Sequence, residues 1–396
     1  MARPYNAQKT QTKLTILKIG LVEYSDMNGK KVVVGLSGGV DSSVAASMLI
    51  DQGYEVHGVY LECYNEPGCR TDQDKADALK LALKLNIPFE VLDFRREYRE
   101  KVVEYFYREY EQGRTPNPDV MCNREIKFGI FYDWALRQVQ GKPKYDYVAT
   151  GHYARIVEVA RPSSIKTIKY LQRAVDESKD QSYFLWQVPR DHLNHILFPL
   201  GEMLKSEVRE IAKLKNLHIA SKPDSMGICF IGEVNVSDLL KNKLGENPGN
   251  VIYRDKVVGT HRGLWFYTIG ERGGFSLDKK TLKDMGMHPE KMEPLYVIGK
   301  NKNNNTLEVG EHELTMQAVV RVAKLELEKG DSGRKLYLRI RNLGELVEVK
   351  SLSSLSSSSS EAKIHLKKAV HGVAEGQSAV IYDESGKIQG GGIIAI

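Results

Sequence analysis

The run KVVVGLSGGVDSS, Lys31 to Ser43, restricts what this chain can become more than any other stretch. Its short β-branched start suits a strand buried on both faces of a parallel sheet. A Ser-Gly-Gly turn follows, and SVAASMLIDQGY has helical spacing up to Gly53. Gly38 and Gly39 permit backbone conformations that turn successive N–H groups toward one point. The helix starting near Val40 adds the positive end of its dipole to that nest. Ser37, Ser42 and Ser43 supply hydroxyl donors for phosphate oxygens, and Asp41 is placed to help hold a magnesium ion on them. The run lacks G-x-x-x-x-G-K-[ST], so it is not a Walker A loop. The plain alternative is a strand–helix turn whose glycines only cap the helix.

EVHGVYLE and PFEVLDF read as further strands, DQDKADALKLALKLN as an amphipathic helix, and YDYVATGH as a later strand. Strands alternating with helices of this length predict a doubly wound parallel α/β domain over residues 31–232. A basic extension precedes it over 1–30. From about Ile231 the texture changes, and NVIYRDKVVGTH and GLWFYTIG read as hairpins of a small mixed central domain, 233–305. Short β-like segments over 306–396 predict a C-terminal β-barrel, with the Ser-rich stretch 351–360 as a loop inside it.

The balance of 57 Lys+Arg against 51 Asp+Glu gives +6, which permits a polyanionic partner without requiring one. Four cysteines in 396 residues are too sparse for a disulfide framework and suit a reducing, cytoplasmic setting. The acid-free first 22 residues leave an organellar form as the alternative. No apolar run is long enough to cross a bilayer, so no membrane partner is expected.

Cys122 lies in RTPNPDVMCNREIKF, where Asn117 suits an N-cap and Pro118 the first helical position. Asp119 and Cys122 then share one face of the first turns, a carboxylate for proton handling beside a thiol near a helix start. Cys229, in SKPDSMGICFIG, is by itself a common buried strand cysteine. Cys63 and Cys69 flank a loop after the second strand, and either is incidental as a nucleophile.

GLSGGVDSS resembles the PP-loop of ATP pyrophosphatases (adenine nucleotide α-hydrolase-like). Together with RTPNPDVMCNREIKF, ATGHYAR, KDQSYFLW, FPLGEMLKSEVREIA, SKPDSMGICFIG, GLWFYTIGER and the closing GGGII, in this order, it resembles the tRNA-specific 2-thiouridylase (MnmA) family. The resemblance implies ATP-dependent replacement of the C2 oxygen of the wobble uridine, U34, by sulfur in the tRNAs for Lys, Glu and Gln. It implies ATP contacts from Gly35, Leu36, Ser37, Gly38, Gly39, Val40, Asp41, Ser42, Leu61 and Gly151, with Mg2+ accompanying the nucleotide. Asn117, Pro118 and Asp119 would surround the target base. Lys179, Asp180, Gln181, Arg341 and Asn342 would touch the tRNA.

Cys229 would carry persulfide sulfur delivered by a cysteine desulfurase or sulfur-relay protein, and Cys122 would complete the transfer. Two routes are open: the persulfide attacks C2 directly, or Cys122 first liberates sulfide and a Cys122–Cys229 disulfide remains. The chain departs from the family pattern at Leu61, at Glu271 where glutamine is usual, and at Asn342 where an aromatic is usual. Three alternatives stand beside this reading. They are a PP-loop ligase acting on a small carboxylate, an RNA-binding protein without catalysis, and a tRNA thiolase in which Asp119, Cys122 and Cys229 ligate an iron–sulfur cluster.

Overall fold

The computed structural model describes residues 29–65, 71–139, 142–160, 167–224, 235–288, 290–328, 334–354 and 361–395. They pack as two compact units, one drawn from 1–95, 124–182 and 188–226, the other from 96–123, 183–187 and 227–396.

In the first unit the valine run forms β1 (Lys31–Gly35), with Val32, Val33 and Val34 wholly buried. Each such side chain contributes about 1.5–3 kcal/mol by leaving water. Helix α1 (Val40–Asp51) follows, then β2 (Glu55–Glu62), α2 (Thr71–Leu85) and β3 (Phe89–Asp93). Strand β4 (Tyr147–Ala149) precedes an antiparallel pair, β5 (Ala154–Ala160) and β6 (Thr167–Arg173), and β7 (Ile196–Leu197) leads on to helix α3 (Lys205–Leu214). The main sheet has the order β3-β2-β1-β4-β7, parallel throughout. Val44, Leu49, Leu200 and Val208 help close its core. Strand order reverses beside β1, so the loops after β1 and β4 open at a topological switch point. Open α/β sheets bind ligands at that place.

In the second unit Val251, Tyr253, Val297 and Leu307 sit in the core of a mixed five-stranded sheet. Its strands are β8 (Gly249–Tyr253), β9 (Lys256–His261), β10 (Ser276–Leu277), β11 (Tyr296–Asn301) and β12 (Thr306–Gly310), in the order β10-β9-β8-β12-β11. The expected hairpin over NVIYRDKVVGTH is β8–β9, turned at Arg254 and Asp255, both at positive φ. GLWFYTIG is not a hairpin. Leu264–Phe266 is a 3-10 turn, which allows Leu264 and Tyr267 to enter the core.

The barrel begins later than the sequence suggested. Thr306–Gly310, read as its first strand, pairs with β8 and β11 instead, because its buried residues complete the central core. Six strands close the barrel: β13 (Met316–Leu327), β14 (Leu336–Arg339), β15 (Val347–Ser354), β16 (Ala362–His371), β17 (Ser378–Asp383) and β18 (Ile388–Ile394). The Ser-rich stretch enters β15, where Ser351–Ser354 pair with β16 and cross-strand bonding overrides composition. Residues 355–360 lie outside the described set.

Candidate active site

The loop after β1 has the shape its glycines suggested. Gly38 has φ +71°, a left-handed conformation, and a Cβ there would lie 2.2 Å from the Asp74 carbonyl oxygen. Gly39 caps α1 without a side-chain bond, so no cap side chain takes up the first N–H groups of this twelve-residue helix, the groups that suit an anion. The Ser37 and Ser42 hydroxyls stand 3.2 Å apart, and Ser37 N–H donates to Ser42 Oγ at 3.1 Å. Ser43 is different from expectation. Its hydroxyl donates to the Gly39 carbonyl at 2.7 Å and is spent inside the helix.

From the loop after β4, Gly151 presses against the same turn. A Cβ on it would meet Ser42 N at 2.6 Å and Asp41 C at 2.7 Å. Next to it, Thr150 Oγ1 and His152 Nδ1 are 2.7 Å apart, and burial, then Lys127, pulls His152 well below the usual imidazole range. Leu36 and Leu61 are buried beside these loops, Leu61 in register with Leu92 of β3.

Charge converges on Asp41. Its carboxylate accepts from the Tyr153 hydroxyl at 2.9 Å and from Lys205 Nζ at 2.6 and 2.8 Å. Burial raises the Tyr153 phenol well above its ordinary range, and Asp41 pushes it the same way. Lys205 also reaches Asp224 at 2.9 Å, which Lys179 and Arg209 hold at 2.7 and 2.6 Å. Burial would raise the Asp224 carboxyl, but hydrogen bonds from Lys179 and Lys205 win and hold it far below the usual carboxylate range. Lys222 Nζ donates to Gly38 O (2.9 Å), Asp74 (2.8 Å) and Asp77 (2.7 Å), so it joins the loop to α2. The sequence displayed Lys205, Lys222 and Asp224 in quoted motifs but assigned them nothing. Lys205 and Lys222 meet the loop from 164 and 184 residues away, and Asp224 joins through Lys205, links that exist only in the fold.

One carboxylate beside a phosphate cradle suits Mg2+, which takes one or two carboxylates and draws its other ligands from phosphates and water. Among the described residues no group of three or more His, Cys, Asp or Glu is arranged to hold a metal by itself. Cys229, the remaining ligand of the iron–sulfur alternative, lies outside the described residues, as does Cys69.

Lys179, Asp180 and Gln181 also belong to this unit. Asp180 is wholly buried and accepts from Ala174 N–H (3.1 Å), Ser182 N–H (3.2 Å) and Ser182 Oγ (3.1 Å). Gln181 exchanges bonds with the Tyr153 backbone, at 3.0 and 2.8 Å. Both therefore shape the turn that presents the more exposed Lys179. Asp180→Ala strands two buried N–H groups and takes from Arg173 one of its two carboxylate partners, so it should lower stability by about 2–4 kcal/mol, read as a reduced urea midpoint. Lys179→Ala should move that midpoint far less.

In the second unit, the Asn117 side chain accepts from Val120 N–H at 3.3 Å and Pro118 takes the first helical position of Pro118–Met121, as expected. Cys122 N–H bonds back to Pro118 O and Asp119 O, and its thiol is fully buried. A π-helical stretch, Cys122–Ile130, follows directly. It depends on Gly129, where a Cβ would stand 2.7 Å from Arg124 O. Upstream, the barrel anchors the loop. Gln377 Nε2 donates to Thr115 O (3.0 Å) and Pro116 O (2.9 Å), and Thr115 N–H donates to Glu375 O (2.8 Å). Tyr183 adds bonds from its hydroxyl to Ile340 O and Ser378 O. These anchors were not legible in the sequence.

Arg341 donates to His371 O and Gly372 O, and half-buried Asn342 keeps an unpartnered Oδ1. Glu271 accepts from Thr268 N–H at 2.8 Å and faces Lys300. Burial pushes the Lys300 ammonium down to about 8, with Glu271 and Glu375 opposing. The unusual acid thus answers a cation within the unit.

Known proteins agree along the chain. Residues 30–233 match the tRNA methyl transferase HUP domain family, 237–311 the tRNA methyl transferase PRC-barrel domain and 311–394 the aminomethyltransferase β-barrel domain. The tRNA-specific 2-thiouridylase MnmA of Enterococcus faecalis is 38% identical over 383 residues, 93% of this chain and 96% of that one. MnmA 1 of Geobacillus kaustophilus is 40% identical over 365 residues, 90% and 93% of the two chains. Among solved structures, U34-tRNA thiolase NcsA from Methanococcus maripaludis overlays 59% of this chain and 73% of its own, with 20% identity and a TM-score of 0.35, too low to bear on the assignment. With the PP-loop at a parallel-sheet switch point, a capped Cys122 helix start and near full-length identity of this order, the chain belongs to the tRNA-specific 2-thiouridylase (MnmA) family.

Proposed function

We propose that this chain is an ATP-dependent tRNA-uridine 2-sulfurtransferase acting on the wobble uridine of the tRNAs for Lys, Glu and Gln. The observation that carries the reading is the turn of Gly38 at positive φ and Gly39 leading into an α1 N-terminus with no side-chain cap, with Gly151 packed against it at the switch point. A phosphate chain fits such a nest by hydrogen bonding and dipole alignment. Gly35 to Ser42, Leu61 and Gly151 bind ATP, and Asp41 with the phosphates would hold Mg2+, which offsets charge on the departing pyrophosphate.

The uracil O2 attacks the α-phosphorus and expels pyrophosphate, so the C2–oxygen bond now ends in AMP, a good leaving group. Asn117, Pro118 and Asp119 surround the base, and Asp119 handles its proton. A persulfide on Cys229, loaded by a desulfurase or relay protein, supplies sulfur, and AMP leaves with the original oxygen; the Cys122 thiolate takes up the Cys229 sulfur as the transferred sulfur departs, and an external thiol then reduces the Cys122–Cys229 disulfide. The base leaves its stack to be reached. Because the Cys122 thiol is fully buried, neighbouring side chains move aside before it reacts. Lys179, Arg341 and Asn342 serve the tRNA, while Asp180 and Gln181 support Lys179. Among the described residues no helix is long and apolar enough to cross a membrane.

The test is incubation with Mg·ATP, a persulfide donor and unmodified tRNA, followed by nucleoside mass spectrometry. A sulfur-for-oxygen mass shift in uridine is expected at the wobble position. AMP release without any thiolated nucleoside, or release stimulated by a small carboxylate instead of tRNA, would move the chain to the ligase reading.

A further inference from the structure

The two lysines at the PP-loop are held differently. Lys222 Nζ has three acceptors, a backbone carbonyl and two carboxylates, which use all three ammonium donors. It is a strut between the loop, α2 and its own segment. Lys205 Nζ instead bonds to carboxylates, both oxygens of Asp41 and one of Asp224, and stands 5.7 Å from the Tyr153 ring centroid. Its side chain is 13% exposed, and it leaves from the first residue of α3. The backbone there is fixed independently, since Lys205 N–H donates to Asp176 at 2.9 Å and Glu207 closes back on Leu204 N–H. The ammonium therefore has a rigid root and a second carboxylate partner that does not belong to the loop. Asp224 keeps Lys179 and Arg209 when Lys205 turns.

Asp41 lies in the first turn of α1, beside N–H groups that no cap side chain takes up. A triphosphate seated there places negative oxygens next to an acid, and that repulsion needs a cation to offset it. The half-buried cation already bonded to Asp41, with a second carboxylate partner outside the loop, is Lys205.

We propose that Lys205 binds the triphosphate of ATP, giving up Asp41 to do so while Asp224 keeps its hold on the ammonium. This rests on the ATP reading above and goes beyond it, because it adds a phosphate ligand from α3 to the loop and assigns Lys222 a structural part only. It also makes the Asp41–Lys205 pair a resting contact that nucleotide replaces.

Calorimetry of ATP and AMP binding, in EDTA and in Mg2+, tests this on the full chain with Lys205→Met, Asp41→Asn and the double variant. Lys205→Met should weaken ATP by about 10- to 100-fold in both buffers, as for loss of a charged hydrogen bond, and leave AMP nearly unchanged. The double variant should stay as weak for ATP as Lys205→Met. If it binds ATP as tightly as Asp41→Asn alone, Lys205 serves only to neutralise Asp41 and the proposal is overturned. Equal loss of ATP and AMP also overturns it, since that marks a collapsed loop. Lys205→Gln carries the same comparison if the methionine variant does not fold. A wild-type chain that binds no ATP defeats the ATP reading itself, a result distinct from either of these.

Discussion

Cys122→Ser should abolish 2-thiouridine formation, by at least about 10⁴-fold, while tRNA-dependent release of pyrophosphate continues. In the proposed reaction, adenylation of the uracil oxygen uses the PP-loop and needs no thiol, whereas sulfur exchange needs a thiolate that a serine hydroxyl cannot replace. The substitution changes one atom at a fully buried position inside a capped helix start, so the fold should tolerate it. Cys229→Ser should be equally inactive.

The two variants also separate the two routes. In direct attack, the terminal persulfide sulfur joins C2 as AMP leaves, and tRNA remains linked to Cys229 through an S–S bond until Cys122 cleaves it. Cys122→Ser then accumulates a protein–tRNA adduct that thiols release, visible on a non-reducing gel. In the sulfide route Cys122 must act first, so the same variant forms no adduct. Full thiolation by either serine variant would sink the two-cysteine mechanism.

The α/β half of the molecule was readable because its signals are local. A valine run, a Ser-Gly-Gly turn and a helix can announce a switch-point loop within thirteen residues, and Asn117-Pro118 can announce a helix cap within two. What stayed hidden depends on long-range partners. Asp180 is the exception: expected to touch the tRNA beside Lys179, it is the buried centre of a turn built from residues close in sequence, Ala174, Ser182 and Arg173. Thr306–Gly310 has the composition of a barrel strand, and only its pairing with β8 places it in the central sheet. Ser351–Ser354 read as low complexity until β16 supplied a ladder. RREYREKVVEYFYREY mixes Arg and Tyr at helical spacing, which suits a solvated helix as well as an RNA face; the fold buries its Tyr98, Val102 and Phe106, so part of its aromatic stripe is packing. The ionic web of Lys205, Lys222 and Asp224 has no local period, and no sequence window contains both ends of any of its links to the loop.

The glycines of the nucleotide cradle should separate sharply by substitution to alanine. Gly39→Ala is expected to change ATP affinity only a few-fold, because Gly39 has φ −98° and its nearest neighbour to a new Cβ is Ser37 Oγ, at 3.4 Å. Gly151→Ala should weaken ATP by about 100-fold or more. Its backbone needs no special conformation, so the constraint is space alone, and the atoms in the way are main-chain atoms of Asp41 and Ser42 that cannot rotate aside. Relief requires the loop after β4 to back away from α1, and that displaces the N–H groups aimed at phosphate. Gly38→Ala combines both penalties, a φ of +71° and a 2.2 Å approach to Asp74 O, so it should cost at least as much affinity and in addition about 1–3 kcal/mol of stability. The order Gly39, then Gly151, then Gly38, measured by nucleotide titration and thermal unfolding together, follows from this backbone geometry. An equal, mild effect at all three positions would mean that the nest is not where the phosphates sit, and ATP would have to be placed elsewhere on the sheet edge.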